Sequence, residues 1–202
     1  MASLLSYALT TVADVKESLG VTDSSLDNLI IRKINQATRQ IEKYCDRHFL
    51  ASSYVEEYNA TQTNQLVLKQ RPVISFSSLE IRDSGLNYNS WETVDSQIYF
   101  VDNESGVVST LYRNSGGFNR YRATYTAGYS TIPEDLAEAC ASLACYYVNN
   151  ADGSDVGVAR KKEGARELQY ANSSLSFDTI LQNLGIDATL DAYSNSPVMT
   201  NR

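Results

Sequence analysis

The spacing of apolar and polar residues changes several times along the chain, and each change predicts a different structural element. Between residues 120 and 129, tyrosine and alanine occupy every second position, which predicts a strand with one buried face. Helical spacing begins at Pro133, a residue that the first turn of a helix accepts, and Glu134 and Asp135 lie beside the positive end of that helix dipole. The apolar residues that then recur at steps of four and three are Leu136, Cys140, Leu143 and Tyr147.

Two helices are predicted near the start of the chain. The first covers residues 11–19, with Thr10 or Thr11 as its N-cap and Gly20 at its end. The second covers about residues 26–46, with Asp23 or Ser24 as its N-cap. Its apolar face consists of Leu26, Ile30, Ile34, Ala37, Ile41 and Tyr44, and a second patch beside that face consists of Ile31, Thr38 and Cys45. We therefore expect other parts of the protein to contact this helix from two sides.

Period-two spacing predicts seven short strands between the second helix and Pro133, separated by turn sequences. They lie at residues 53–60, 65–69, 76–82, 89–94, 97–101, 106–112 and 120–129. Short strands at this spacing are typical of an antiparallel β subdomain, which we expect to be a small barrel or a curled sheet.

The composition changes again after Asn150. Residues 151–174 are rich in Gly, Ser, Ala and charged residues, and they are predicted to form an extended or mobile arm. A short amphipathic helix is predicted at residues 177–185, followed by a weak helix at 188–193 and a polar tail that Pro197 interrupts.

Composition and charge narrow the functional classes. With 202 residues, of which 43% are apolar, the chain can form one domain with a real core, with or without an appendage. Its net charge of −7 argues against a protein whose whole surface binds nucleic acid. The sequence has no apolar run of membrane-spanning length and no signal-peptide pattern, so we expect neither. Its three cysteines point to a reducing compartment without a disulfide framework.

A metal site is the first chemical function to consider. Cys45 and His48 have the spacing of zinc ligands, but Cys140 and Cys145 would lie about 140° apart around a helix and could not easily bind one ion. We therefore expect buried, apolar cysteines and neither a metal nor a cofactor.

Catalytic arrangements are equally sparse in the sequence. A catalytic triad would need His48, the single histidine, and no nucleophile elbow or phosphate-binding loop is present. Glu56 and Glu57 are consecutive in a predicted strand, so they would point to opposite faces and make a poor acid–base pair. These observations favour a protein without enzymatic activity.

The one tight basic cluster lies in the predicted arm. It consists of Arg160, Lys161 and Lys162, with Arg166 nearby. Such a cluster is consistent with a solvated loop, and equally with contact to a nucleic-acid backbone or to an acidic groove of a protein.

Four segments together resemble the head-to-tail connector proteins of tailed bacteriophages, also called adaptor or head-completion proteins. They are T-x-x-D-V-K-x-x-L-G-V at 11–21, I-E-x-Y-C-x-R-x-F at 41–49, L-x-L-x-x-x-P-V at 66–73 and Y-x-A-G-Y-x-x-x-P-E-D-L at 125–136. Their order and spacing carry the resemblance, and the β-rich stretch resembles the insertion found in longer members.

This resemblance implies a structural protein of the virion neck that assembles in the host cytoplasm. It would form a ring, commonly of about twelve copies, beneath the portal protein. Viral DNA would pass through the ring without sequence-specific binding, and a stopper or tail protein would bind to its far side. In that family the C-terminal segment tends to dock on the portal. By position, the docking residues would be Phe177, Ile180, Leu181, Leu184, Tyr193, Val198 and Met199.

The combined prediction is an α+β fold. It has a small helical bundle core (1–50 and 131–150), an inserted antiparallel β subdomain (51–130) and an extended C-terminal arm with a short docking helix (151–202). Three other functions remain open. They are another virion structural role such as tail terminator or minor capsid protein, a phage-encoded hydrolase that depends on His48, and a DNA-binding regulator, which the acidic balance disfavours.

Overall fold

The computed structural model of the chain is α+β, as the sequence predicts, and it divides into two compact units. The helical unit consists of Met1–Asp46 and Pro133–Arg202, and the β unit consists of Arg47–Ile132. The structure describes residues 2–60, 63–82, 90–111, 117–151, 161–163, 166–168 and 176–195.

Five α-helices and nine strands occur in the described residues. The helices are α1 (Val12–Leu19), α2 (Asp27–Cys45), α3 (Glu134–Asn149), α4 (Phe177–Leu184) and α5 (Asp187–Tyr193). The strands are β1 (Ser52–Ala60), β2 (Gln65–Val67), β3 (Val73–Arg82), β4 (Trp91–Thr93), β5 (Tyr99–Asp102), β6 (Val107–Thr110), β7 (Gly117–Ala127), β8 (Lys161–Glu163) and β9 (Arg166–Leu168). A short 3-10 helix, Ser96–Ile98, precedes β5.

The ends of the first two helices show which local signals act as predicted. The Thr11 hydroxyl accepts the Asp14 N–H at 3.2 Å and the Asp14 carboxylate accepts the Thr11 N–H at 3.1 Å, which confirms the predicted N-cap of α1. The predicted cap of α2 is wrong. Leu26 occupies the N-cap position, and its apolar side chain makes no capping hydrogen bond. The Asp23 carboxylate instead accepts the N–H of Ser25 within its own turn.

Helix α2 lies at the centre of the helical unit and is contacted from more than one side, as predicted. The Thr38 hydroxyl lies 3.7 Å from the Cys140 sulfur on α3, and the Cys45 thiol donates to the Leu190 carbonyl on α5. The side chains of α2 that these neighbours bury are Ile30, Ile34, Ala37, Thr38, Ile41, Glu42 and Cys45. Of the second patch beside the main apolar face, Thr38 and Cys45 are therefore part of the core, whereas Ile31 is only half-buried.

All seven predicted strands of the β unit are present, but they form two sheets rather than one barrel or curled sheet. Long β7 pairs with β1 on one side and β3 on the other, and β4 completes a four-stranded sheet in the order β1-β7-β3-β4. The remaining strands form a three-stranded sheet in the order β2-β6-β5. Strand β7 is central in the first sheet and β6 is central in the second, and each is hydrogen-bonded only to strands of its own sheet.

One hydrophobic core lies between these sheets. On β7 it takes every second side chain, namely Tyr121, Ala123, Tyr125 and Ala127. From the smaller sheet it takes Leu66, Val108 and the partly buried Tyr99 and Val101. Each sheet therefore has one inner face against the core and one outer face.

The two ends of the β unit meet at Gly128. The Ala51 N–H donates to the Tyr129 carbonyl at 3.0 Å and the Tyr129 N–H donates to the Phe49 carbonyl at 2.7 Å, so the chain enters and leaves this unit side by side. Gly128 has φ +110°, and a Cβ there would lie 2.8 Å from the Phe49 oxygen and 2.9 Å from the Ala51 nitrogen. Only glycine fits this close approach of two backbones.

Gly128→Ala should therefore destabilise the β unit by about 2–4 kcal/mol, because it combines backbone strain with a clash against main-chain atoms. Gly106→Ala is the control, since Gly106 also has positive φ (+68°) but its nearest neighbour, the Arg71 Cβ, is 3.4 Å away. The control should lose only about 1 kcal/mol. Urea unfolding followed by the fluorescence of Trp91, the single tryptophan, measures both variants. Equal losses would contradict the close approach.

Candidate functional site

Most of the predicted docking residues lie on α4 and α5, which are the last two helices of the helical unit. The Phe177 ring meets the Tyr44 ring edge-on with centroids 5.8 Å apart, and the Tyr44 hydroxyl donates to Asp191 at 2.5 Å. Burial, with the Asp191 bond, raises the pKa of Tyr44. The Tyr193 hydroxyl donates to Asp135 at the start of α3 at 2.8 Å. These contacts hold both helices against α2 and α3.

Exposure separates the members of the docking set. Leu181 is fully buried, so it is a core residue and offers no surface to a partner. Val198 and Met199 lie outside the described residues. The members that keep partly exposed side chains are Phe177, Ile180, Leu184 and Tyr193. Of the predicted docking residues that the structure describes, these four can therefore reach a partner.

The basic cluster lies partly in a two-stranded antiparallel ladder, where the sequence predicted an arm. Lys162 pairs with Glu167 and Glu163 pairs with Arg166 in the register of β8 and β9. Lys161 lies opposite Leu168, and Arg160 lies outside the described residues. The backbone thus brings Lys161, Lys162 and Arg166 into one ladder together with acidic residues.

Two tyrosines and a glutamate form a polar network inside the β unit. The Tyr125 hydroxyl donates to Glu56 Oε2 at 2.6 Å, and the Tyr58 hydroxyl donates to the same oxygen. The two hydroxyls also accept backbone N–H groups, from Gln70 at 3.2 Å and from Lys69 at 3.1 Å respectively. Burial, followed by the bond to Glu56, raises the pKa of both tyrosines. The network ties β1 and β7 to the segment between β2 and β3.

The outer face of the four-stranded sheet carries a network of charged side chains, together with the exposed Val55. The guanidinium carbons of Arg82 and Arg122 lie 4.3 and 4.5 Å from the centroid of the Trp91 ring, within the range of cation–π attraction. Arg122 Nε donates to Glu80 at 2.6 Å, which lowers the pKa of Glu80, and Arg82 pairs with Glu57 at 3.6 Å. These charges are matched within the face, so they form a self-contained network.

Glu56 and Glu57 point to opposite faces of β1, as predicted. Glu56 bonds to tyrosines on the core side, whereas Glu57 pairs with Arg82 on the outer side. The two carboxylates therefore belong to different networks and do not form an acid–base pair.

The outer face of the three-stranded sheet is apolar at three positions. Val67 is 61% exposed, Phe100 69% and Leu111 70%. We call Val67, Phe100 and Leu111 the apolar outer face. Exposed apolar side chains that lie on one side of a small sheet are typical of binding surfaces.

Sequence reasoning missed this face, although a signal for it was present. In Leu66-Val67-Leu68 and Tyr99-Phe100-Val101 three apolar residues follow one another in a strand. Because strand side chains alternate between faces, the middle residue of each triplet must point away from the core that its neighbours enter. Three consecutive apolar residues in a strand therefore predict an exposed apolar side chain on its outer face.

The candidate metal and catalytic residues show no reactive arrangement in the described part of the chain. No group of three or more His, Cys, Asp or Glu side chains there is placed to hold a metal ion. Burial raises the pKa of the Cys140 thiol to about 12, so the thiol stays protonated. His48 is exposed, and its backbone N–H donates to the Gln70 side chain at 3.0 Å. Across the described residues, none of the helices combines the length and the apolar character that crossing a bilayer requires.

Comparison with known proteins gives one family and several similar folds. A family model described as "Head completion protein" matches residues 8–157. A comparison with curated proteins finds no match.

Three similar solved structures come from gene transfer agent (GTA) particles. A chain from the neck of an empty GTA particle, computed with C6 symmetry, is 16% identical with a TM-score of 0.59, covering 100% of this chain and 99% of that one. A chain from the neck of a native GTA particle, computed with C12 symmetry, is 16% identical with a TM-score of 0.55 and the same coverage. A chain from the virion of the native particle is 15% identical with a TM-score of 0.59, covering 98% and 96%. At these identities the likeness concerns the fold.

Tyr125→Phe should destabilise the β unit by about 1–3 kcal/mol, because the buried Gln70 N–H and the Glu56 carboxylate each lose a partner. Tyr99→Phe is the control, since the Tyr99 ring packs on Phe76 in the same core, with centroids 5.6 Å apart, away from the Glu56 network. Urea unfolding at pH 7 measures both. A loss no larger than the control's would contradict the network.

The same tyrosines predict a loss of stability in alkali. Their pKa values in the folded protein lie above the ordinary 10.0, so above pH 10 the unfolded chain releases protons that the folded chain keeps. The free energy of unfolding should therefore fall as the pH rises above 10, by up to about 1.4 kcal/mol per pH unit for each tyrosine. Tyr125→Phe should show a shallower fall between pH 10 and 11.5. Parallel curves for the two proteins would contradict the raised pKa of Tyr125.

Proposed function

The chain belongs to the head completion protein family, and we propose that it is a non-catalytic structural protein of the neck of a phage or phage-like particle. We propose further that its copies form a ring beneath the portal protein, extend the DNA channel and bind a stopper or tail protein on the far side. The observation that carries this proposal is the family match over residues 8–157. It agrees with the resemblance of the four sequence segments.

The likeness to GTA neck chains supports the ring. The matched necks were computed with C6 and C12 symmetry, and the likeness in fold spans 98–100% of this chain. Twelve copies are compatible with both symmetries, so we propose a ring of twelve. Such a ring is closed and heterologous, so each copy uses two different surfaces toward its neighbours.

The charge of the chain supports a channel through which DNA moves. Each phosphate that Lys or Arg neutralises adds to the affinity for DNA, so a basic wall would hold the DNA. A net charge of −7 and ion pairs such as Arg122–Glu80, which engage arginine within the protein, reduce this attraction. DNA would therefore pass without sequence-specific binding.

We propose that the partly exposed residues of α4 and α5 contact the portal. Phe177, Ile180, Leu184 and Tyr193 are held by a packed helical unit, so docking would need little reorganisation there. Val198 and Met199, beyond the described residues, remain candidates for the same contact by their position in the sequence.

The portal contact can be tested with a double variant on α4. Ile180→Ser with Leu184→Ser should weaken capture by the cognate portal about tenfold or more, since apolar anchors dominate such interfaces. Gln182→Ser is the control, because Gln182 lies on the same helix and is exposed. Pull-down with purified portal rings measures capture, and circular dichroism checks folding.

Two outcomes would count against these proposals in different ways. Full capture of the double variant would move the docking surface away from α4. Failure of the unmodified chain to bind its portal, or its absence from purified particles, would contradict the neck function itself.

A further inference from the structure

We propose that the apolar outer face, formed by Val67, Phe100 and Leu111, is the surface through which one copy of the chain contacts the next copy in the ring. The inference rests on the proposed function and adds to it the location of the subunit contact. It concerns the β unit, whereas the portal contact proposed above concerns the helical unit.

The apolar outer face extends over the whole width of its sheet. Val67 lies on edge strand β2 opposite Val107, and Phe100 lies on edge strand β5 opposite Ser109, so central β6 lies between them. Leu111 follows two residues after Ser109, so it lies on the same side of the sheet as Ser109. The three residues therefore share one side of the sheet, together with Val107 and the polar residues Gln65, Ser109 and Asp102.

Strand formation alone does not require apolar residues at these positions. On the outer face of the four-stranded sheet, β7 carries Thr124 and Thr126, which favour strands as valine does but bring a hydroxyl to the surface. The Thr126 hydroxyl there lies 3.3 Å from the Ser53 hydroxyl. The four-stranded sheet also exposes Val55 and Ile74, but there they accompany a network of ion pairs, whereas Phe100 and Leu111 are the most exposed large apolar side chains of the β unit.

The distribution of charge indicates that a second copy covers this face. Residues 47–132 contain seven Lys or Arg and eight Asp or Glu, a net charge of −1, which leaves −6 of the total −7 to the rest of the chain. Identical copies repel each other wherever their net charge is high. The β unit, which is nearly neutral, is the part through which like copies can approach with least repulsion, whereas the acidic remainder suits a more basic partner.

The size of the face fits a contact that forms within a larger assembly. Three side chains of this exposure present on the order of 350 Å² of apolar surface, well below the roughly 800 Å² per partner of a stable pairwise interface. A single contact would be weak in solution. Copies that a portal holds side by side would close it at high effective concentration.

Matched valines allow a direct test with the full chain. Val67 on the apolar outer face and Val55 on the other sheet are 61% and 66% exposed, so the same change to serine should leave folding equally unaffected. We expect Val67→Ser with Phe100→Ser to weaken subunit association about 10- to 100-fold, as loss of interface anchors does, and Val55→Ser to leave it unchanged. Association is measured by sedimentation velocity over a concentration series and by native mass spectrometry of copies bound per portal ring.

A photo-crosslinking residue at position 100, with position 55 as control, identifies the occupant in purified particles. Crosslinks between two copies from position 100 but not from 55 would support the inference. Crosslinks from position 100 to a different neck protein, or unchanged assembly of the double variant, would overturn it and leave the neck function standing.

Absence of the chain from particles would instead contradict the proposed function. The contact between copies would then be tested by sedimentation velocity of the purified chain over a concentration series. Concentration-dependent association that the double variant loses and Val55→Ser keeps would support the contact. A chain that remains monomeric at every concentration would overturn it.

Discussion

The pairing of β7 with β1 on one side and β3 on the other is the interaction on which the β unit depends. Through it, three segments far apart in sequence share one ladder, and their alternate side chains meet in one core. The Glu56 network lies on this inner face, where Tyr125 of β7 and Tyr58 of β1 donate to one carboxylate. The Glu56 carboxylate is half-buried, and the two hydrogen bonds compensate for the water that it loses.

The two outer faces of the β unit show how one fold can serve contrasting surroundings. On one sheet Arg122 and Glu80 form an ion pair on the outer face. On the other, Phe100 and Leu111 stand away from the core with most of their surface exposed, so a partner that covered them would remove apolar surface from water. Burial of such side chains stabilises an assembly, whereas matched ion pairs at a surface contribute little to it.

Local structure was largely predictable from the sequence, and longer-range relations were not. The N-cap at Thr11, the seven strands of the β unit and the helices after Phe177 follow from signals within a few residues. The division of the strands into two sheets depends on which strand lies beside β7, which no local pattern encodes. The Asp23 carboxylate accepts a hydrogen bond within a turn before α2 and so does not cap that helix. The burial of Leu181 and the exposure of Phe100 likewise depend on what packs against each strand or helix, so neither could be predicted from local spacing.

The adjacency of Ala51 and Tyr129 has a consequence for how such proteins vary in length. Because the β unit begins and ends one hydrogen bond apart, it occupies the place of a short loop in the path of the main chain. A segment closed in this way can be lengthened, shortened or exchanged during evolution while the helices before and after it keep their packing. The sequences of the helical unit and of the β unit can therefore diversify at different rates.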